Sequence, residues 1–211
     1  MKMWHFEKFQ ASKGKPGEME TFMRDKMLPY FRSRGFNVHF FVTQHELGQG
    51  EFFFATEAAS FSDLDNWPEI VGAETEGVEL LTRLVNMVDG TPQASMLREI
   101  GAGSTPLQWD SHPMWHIEGF NSKLNTGELE THLVEKCLPY WRERGFTVHV
   151  MQSQLGFGER SLWLLTGVDH FGSLDKWSEL ALAEPYGEQI MNELVAMLRD
   201  KVGNLVRDVE A

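Results

Sequence analysis

Leu28-Pro29-Tyr30-Phe31-Arg32-Ser33-Arg34-Gly35-Phe36-Asn37-Val38-His39 and Leu138-Pro139-Tyr140-Trp141-Arg142-Glu143-Arg144-Gly145-Phe146-Thr147-Val148-His149 are one pattern written twice, 110 residues apart. Working outward, Met3-Trp4-His5-Phe6-Glu7-Lys8-Phe9 returns as Met114-Trp115-His116-Ile117-Glu118-Gly119-Phe120. Leu64-Asp65-Asn66-Trp67 returns as Leu174-Asp175-Lys176-Trp177, and Leu97-Arg98-Glu99-Ile100 as Val206-Arg207-Asp208-Val209. The offset slips from 111 to 110 to 109, as expected if loops absorb the changes. A repeat of this length decides the fold before any other reading. It divides the 211 residues into a first module over 1–103, a linker over 104–113 and a second module over 114–211. The Gly/Ser/Thr/Pro composition of 101–106 marks the linker, and Trp109 is expected to be pinned against one module.

Each module reads β-α-β-β-α-β. Residues 3–10 alternate like a strand. Lys15-Pro16-Gly17-Glu18 opens a helix whose apolar stripe is Met19, Phe22, Met23, Met27, Tyr30 and Phe31. Pro29 should kink that helix or end a segment, and Gly35 should stop it. Strands follow over Phe36–Thr43 and Glu51–Thr56, with a turn at Gly48 and Gly50. A short helical piece then carries Trp67, and a longer helix places Val78, Leu81, Leu84, Val85 and Val88 on one face. A last strand runs over Ser95–Ile100, and its counterpart over Asn204–Val209. This order is the ferredoxin-like motif, an α+β fold with helices on one face of an antiparallel sheet. Two such modules can cover their bare faces sheet to sheet, as an internal dimer.

Composition narrows the function. A net charge of −12 with no basic stripe argues against a nucleic-acid or anionic-membrane partner. The N-terminus is too polar for a signal peptide, no apolar run approaches a membrane span, and one cysteine allows no internal disulfide. A cytoplasmic protein is expected. Cys137 stands where the first module has Met27 and reads as a small buried hydrophobe. There is no phosphate-binding glycine loop, no Gly-x-Ser-x-Gly elbow and no zinc spacing.

The strand, the Lys15-Pro16-Gly17-Glu18 turn, and the helix carrying Leu28-Pro29 and ending at Arg34-Gly35 resemble the dimeric α/β-barrel superfamily, and NIPSNAP-like proteins within it. The resemblance covers each repeat. It implies a fused pseudo-dimer with a ligand cavity on the inner sheet face. Its members include cofactor-free monooxygenases, haem-degrading enzymes and dehydratases, so it implies no single reaction. Haem-degrading members carry a Trp on the second-helix segment followed by a haem-ligating His. Trp67 and Trp177 match the Trp, but Glu76 and Tyr186 stand where the His would be.

Strand alternation groups His5 and Glu7 with Met3 and Phe9, and His39 with Asn37, Phe41 and Thr43. If the apolar faces pack on helices, these mixed faces look into the barrel. His5, Glu7 and His39 then line one inner surface, and His116, Glu118 and His149 its counterpart. A carboxylate beside an imidazole orients it and makes a general base for a carbon acid or phenol. A metal shared by His5 and His39 is stretched, because the third strand separates them by about 10 Å. No metal and no cofactor are expected. Trp67, Trp177, Phe9, Phe120, Arg98 and Arg207 are the candidate ligand contacts. Arg98 and Arg207 are candidate partners that neutralise Glu7 and Glu118, which would make the same pattern a structural network. His45, His112, His132 and His170 lack counterparts in the other module and read as surface or loop residues, and Arg32, Arg34, Arg142 and Arg144 as solvated helix ends. Two functions stand: a cofactor-independent oxygenase, isomerase or lyase acting on a small molecule, or a non-catalytic NIPSNAP-like binding or scaffold protein, with further oligomerisation open.

Overall fold

The computed structural model describes residues 2–44, 50–101, 106–156 and 161–210. Its eight strands are hydrogen-bonded in the order β1-β3-β2-β8-β5-β7-β6-β4 and close into a barrel. By its contacts the chain forms two units, Met1–Arg98 with Gln154–Phe157 and Arg207–Ala211, and Glu99–Ser153 with Gly158–Val206. The expected turn at Gly48 and the residue His45 lie outside the described residues, as do residues 102–105 of the expected linker. Among the described residues no helix is long and apolar enough to cross a membrane.

The first unit runs β1 (Met3–Ala11), α1 (Pro16–Phe22), α2 (Leu28–Ser33), β2 (Val38–Thr43), β3 (Glu51–Ala58), α3 (Asp63–Gly72), α4 (Thr75–Val85) and β4 (Val88–Ile100). β3 lies between β1 and β2, and β4 pairs with the other edge of β1, all antiparallel. The second unit follows the same order: β5 (Met114–Ser122), α5 (Thr126–His132), α6 (Leu138–Glu143), β6 (Val148–Gly156), β7 (Leu162–Val168), α7 (Gly172–Ala183), α8 (Pro185–Met197) and β8 (Leu198–Asp208). Here β7 lies between β5 and β6. The closing strands are longer than the sequence pattern predicts, starting at Val88 and Leu198.

Pro29 neither ends nor breaks its helix. A wide turn over Met23–Met27 joins α1 to α2, and the Leu28 N–H reaches back to the Met23 carbonyl. A proline cannot donate to the carbonyl four residues earlier and its ring crowds that carbonyl; one π-turn makes room for both facts. Pro139 has the same solution, with Leu133–Cys137 as the wide turn. Gly35 and Gly145 then stop the helices, each at φ +83°.

Arg34 and Arg144 are not solvated ends. Each guanidinium lies over a tyrosine ring, 3.5 Å from Tyr30 and 3.7 Å from Tyr140, and bonds Glu74 or Glu184. The tyrosine hydroxyls abut Gly77 of α4 and Gly187 of α8, where a Cβ would sit 2.3 Å and 2.1 Å from the oxygen. This contact sets how closely the second helical layer approaches the first. On α4 the packed residues are Leu80 and Leu84, whereas Val78, Leu81 and Val85 of the expected stripe are exposed.

Candidate functional site

Which sheet face carries which side chain follows from register. In the first unit Phe9 is opposite Phe52, and Phe40 opposite Phe54; these rings pack with Phe22, Met27 and Phe31 of the helices. His5 and Glu7 share the parity of Phe9, so they face the helices. His5 sits edge-on to Trp67 of α3, ring centroids 6.1 Å apart. His39 faces the other way, with Trp4 and Phe41. The expected cluster of His5, Glu7 and His39 is therefore split across the sheet. The second unit repeats the division: His116 packs on Trp177 at 5.8 Å, and His149 lies on the far side with Trp115. The reason is physical. Apolar β2 goes to the helices as expected, but in β1 the mixed set includes Phe9 and Ala11, whose burial in the helical layer takes His5 and Glu7 with them.

The expected arginine partners do not reach their targets. Arg98 is opposite Met3, whereas Ala94 is opposite Glu7. Arg207 instead donates to Glu20 at 2.8 Å. Glu118, 5 % exposed, is met by Lys201 of β8 at 3.3 Å. The His–Glu distances are 3.9 Å for His5–Glu7 and 4.0 Å for His116–Glu118, too long for hydrogen bonds. Burial raises the Glu7 carboxyl above its usual range, and His5 opposes the shift. Burial also pushes the His116 imidazole below its usual range, with Glu118 opposing and Lys201 adding. His116 is thereby held in the neutral form that a general base requires.

Three polar atoms around this point have no hydrogen-bond partner: His116 Nδ1, Thr166 Oγ1 and Trp177 Nε1. Thr166 is the cross-strand neighbour of His116. His5 Nδ1 and Thr56 Oγ1 repeat the arrangement in the first unit. What differs is the space beside them. The first unit fills it with stacked rings: Phe40 on Phe52, Phe31 on Trp67, and Phe54 edge-on to Trp67. At the matching places the second unit has Val150, Leu162, Leu164 and, for Met27, Cys137. Leu164 and Cys137, of these four, border a cavity that is also lined by Glu118, Trp141, Trp177 and Lys201 among others. It measures about 20 Å³, room for about one water. Cys137 is 1 % exposed.

Sequence reasoning missed Lys201, whose approach depends on a pairing to β5 that no local pattern encodes. It also missed Glu99, whose Oε1 lies 2.6 Å from His149 Nδ1 while its Oε2 accepts from the Leu107 N–H at 3.1 Å. His39 has Asp208 at 3.9 Å and the Asn37 Oδ1 at 3.1 Å. His112 and His132 are not loose surface residues: His132 is 3 % exposed and pairs with the Ile190 carbonyl, and His112 is held at both ring nitrogens. Trp109 is fully buried against Trp115. Among the described residues no group of three His, Cys, Asp or Glu side chains is placed to hold a metal. Haem does not fit this site either. Helices α3, α4, α7 and α8 carry no histidine, Glu76 lies 3.7 Å from Arg34, and Tyr186 stands edge-on to Tyr140.

No protein-family model matches the chain, and no curated protein does. Solved structures do. A presumed monooxygenase of Fusobacterium nucleatum superposes with a TM-score of 0.71 at 9 % identity, covering 99 % of this chain and 92 % of its own. An anthrone oxidase-like protein gives 0.71 at 10 % identity, covering 98 % and 91 %. The chain has the dimeric α/β-barrel fold. A NIPSNAP family protein of Agrobacterium tumefaciens matches 51 % of this barrel with its whole length, at 12 % identity and a TM-score of 0.44. Identities this low establish the fold of the barrel and leave its reaction to its own side chains.

Proposed function

We propose that this barrel binds a small, flat, weakly acidic molecule between the sheet and helices α7 and α8 of its second unit, where His116 removes a proton from it. The two halves are taken as fused copies of one module, with the first kept as scaffold. The observation that carries the reading is the trio of unpartnered atoms, His116 Nδ1, Thr166 Oγ1 and Trp177 Nε1, grouped around a neutral imidazole. Buried polar groups are paired in the great majority of cases, so three orphans together mark a place where a ligand supplies the partners. Glu118 and Lys201 stand beside them to balance the charge that develops.

A carbanion or phenolate formed there can react with dioxygen without a cofactor. Anthrone is a suitable trial compound, and the anthrone oxidase-like neighbour supports the choice. Loss of its ring CH₂ proton gives an electron-rich anion; anthrone and O₂ then yield anthraquinone and water, with atoms and electrons balanced. The same base serves an isomerase or lyase if the anion is reprotonated elsewhere or expels a group.

A second reading, a non-catalytic binding or scaffold protein, is favoured by the cavity's size of about 20 Å³. A ring enters only if Met191 and Val195 of α8 move aside; Val195 is 59 % exposed, which makes its displacement cheap. The test is oxygen uptake and quinone absorbance with anthrone, for the wild type and for His116→Ala. Turnover above the buffer rate, lost in a folded variant, supports the oxygenase. Binding without turnover selects the second reading, and no binding removes both.

A further inference from the structure

The second unit holds another cavity, of about 470 Å³, at the end of the sheet where residues 106–112 run. Its wall includes Gln108, His112, Arg142, Thr147 and His149. Two contacts organise it. His112 Nδ1 lies 3.1 Å from Asp169 Oδ1, and His112 Nε2 lies 2.9 Å from Thr147 Oγ1. A carboxylate only accepts, so Nδ1 is the donor to Asp169. Nε2 of the neutral ring then carries the lone pair and accepts the Thr147 hydroxyl proton. Hydroxyl, imidazole and carboxylate stand in the order that activates a nucleophile.

We propose that Thr147, His112 and Asp169 form an acyl-transfer site for small esters. The placement is built and not inherited. The first module has Asn37 and Ala59 in place of Thr147 and Asp169. The ring needs Gly167: a Cβ there would lie 2.2 Å from His112 Cδ2. On its other side the imidazole meets Trp115 edge-on, centroids 5.6 Å apart. A ring clamped this way keeps its tautomer and its aim at Thr147. The volume suits a small organic ligand.

In the reaction Thr147 Oγ bonds to the ester carbonyl carbon while its proton passes to His112 Nε2. Arg142 gives Nε and one Nη to the Val148 carbonyl, so its remaining N–H groups and the Gln108 amide, both in the cavity wall, are the donors available to the resulting oxyanion. The C–O bond to the alcohol breaks and the alcohol leaves with the proton from Nε2. Water, deprotonated by the same nitrogen, then bonds to the acyl carbon; the bond from that carbon to Thr147 Oγ breaks, Nε2 returns its proton to Thr147 Oγ, and the acid is released.

The test uses the full chain with p-nitrophenyl acetate at pH 8. The expected result is a burst of nitrophenolate, with acetate found on the peptide containing Thr147. Thr147→Val should lower the rate by about 100-fold, the contribution of a positioned base and nucleophile. Thr147→Ser should keep it. Gly167→Ala, which displaces the ring, should lose it while its melting temperature reports a folded protein. Acetate confined to lysines, or an unchanged rate in Thr147→Val, would overturn the proposal and leave His112 as a tether holding residues 106–113 to the sheet.

Discussion

Replacing His116 with leucine should make the protein more stable while ending the proton removal proposed for that residue. Nδ1 of His116 is buried with no hydrogen-bond partner. Such a group costs about 1–3 kcal/mol relative to its hydrated state in the unfolded chain. Leucine has no polar atom and a similar volume, so that cost disappears. Against it stands the lost attraction to Glu118, 4.0 Å away, but Lys201 still faces that carboxylate at 3.3 Å. The balance is a gain of about 1 kcal/mol, or about 2–4 °C in melting temperature for a chain of this size. The difference should grow in acid. Burial holds the His116 imidazole below its ordinary value of 6.5. As pH falls through 6.5 the unfolded chain takes up a proton before the folded one does, so the wild type loses stability from 6.5 down to the folded value. The leucine variant has no such loss. His132, shifted the same way, and Glu7 are present in both proteins and cancel. Thermal unfolding at pH 7.5 and pH 5.5, read by circular dichroism, measures both effects. A His116→Leu variant that melts several degrees lower at pH 7.5 would mean that Nδ1 makes a structural bond, and the orphaned-atom argument for a ligand site would fail.

The double change Cys137→Met with Leu164→Phe gives the second unit the side chains of the first at those places, and should close its cavity. Ligand binding should fall below detection by calorimetry with little loss of melting temperature. Gly187→Ala should cost about 1–2 kcal/mol, because a Cβ 2.1 Å from the Tyr140 hydroxyl forces overpacking that outweighs the gain in helix propensity. In a Tyr140→Phe background that penalty should shrink, which urea unfolding of the four proteins of the cycle would measure. Burial pushes the Cys137 thiol up to about 12, so it should resist a disulfide reagent at pH 8 until the protein is unfolded.

Much of the fold is written locally. The twelve-residue pattern ending at His39 and His149 carries the helix, its glycine stop and the start of the next strand, and its recurrence gives two equivalent units. What strand alternation cannot give is the absolute face. Period two separates His5, Glu7 and Phe9 from Trp4, Phe6 and Lys8, but which set meets the helices depends on cross-strand neighbours. Phe9 and Ala11 shared the parity of His5 and were the available signal; Phe52 on the neighbouring strand and Phe40 on the next complete the reason. Lys201 and Glu99 escaped notice for the same cause, since each acts on a residue far away in sequence.

The differences between the copies say more about function than their identities do. A His–Glu–Trp arrangement present in both units is what a duplicated module would carry whether or not it reacts with anything. Selection for a ligand site has to appear as divergence. Facing the helices, the second unit exchanges Phe40, Phe52, Phe54 and Met27 for Val150, Leu162, Leu164 and Cys137, each smaller. Trp141 in place of Phe31, in the helical layer, and Trp163 in place of Phe53, on the opposite face, go the other way. Drift in a packed core tends to conserve volume, because a void forfeits about 1 kcal/mol for each lost methylene. Two of these contractions, Cys137 and Leu164, border the small cavity together with Trp177, whose Nε1 is unpartnered, and that is what favours the second unit over the first for the proposed site.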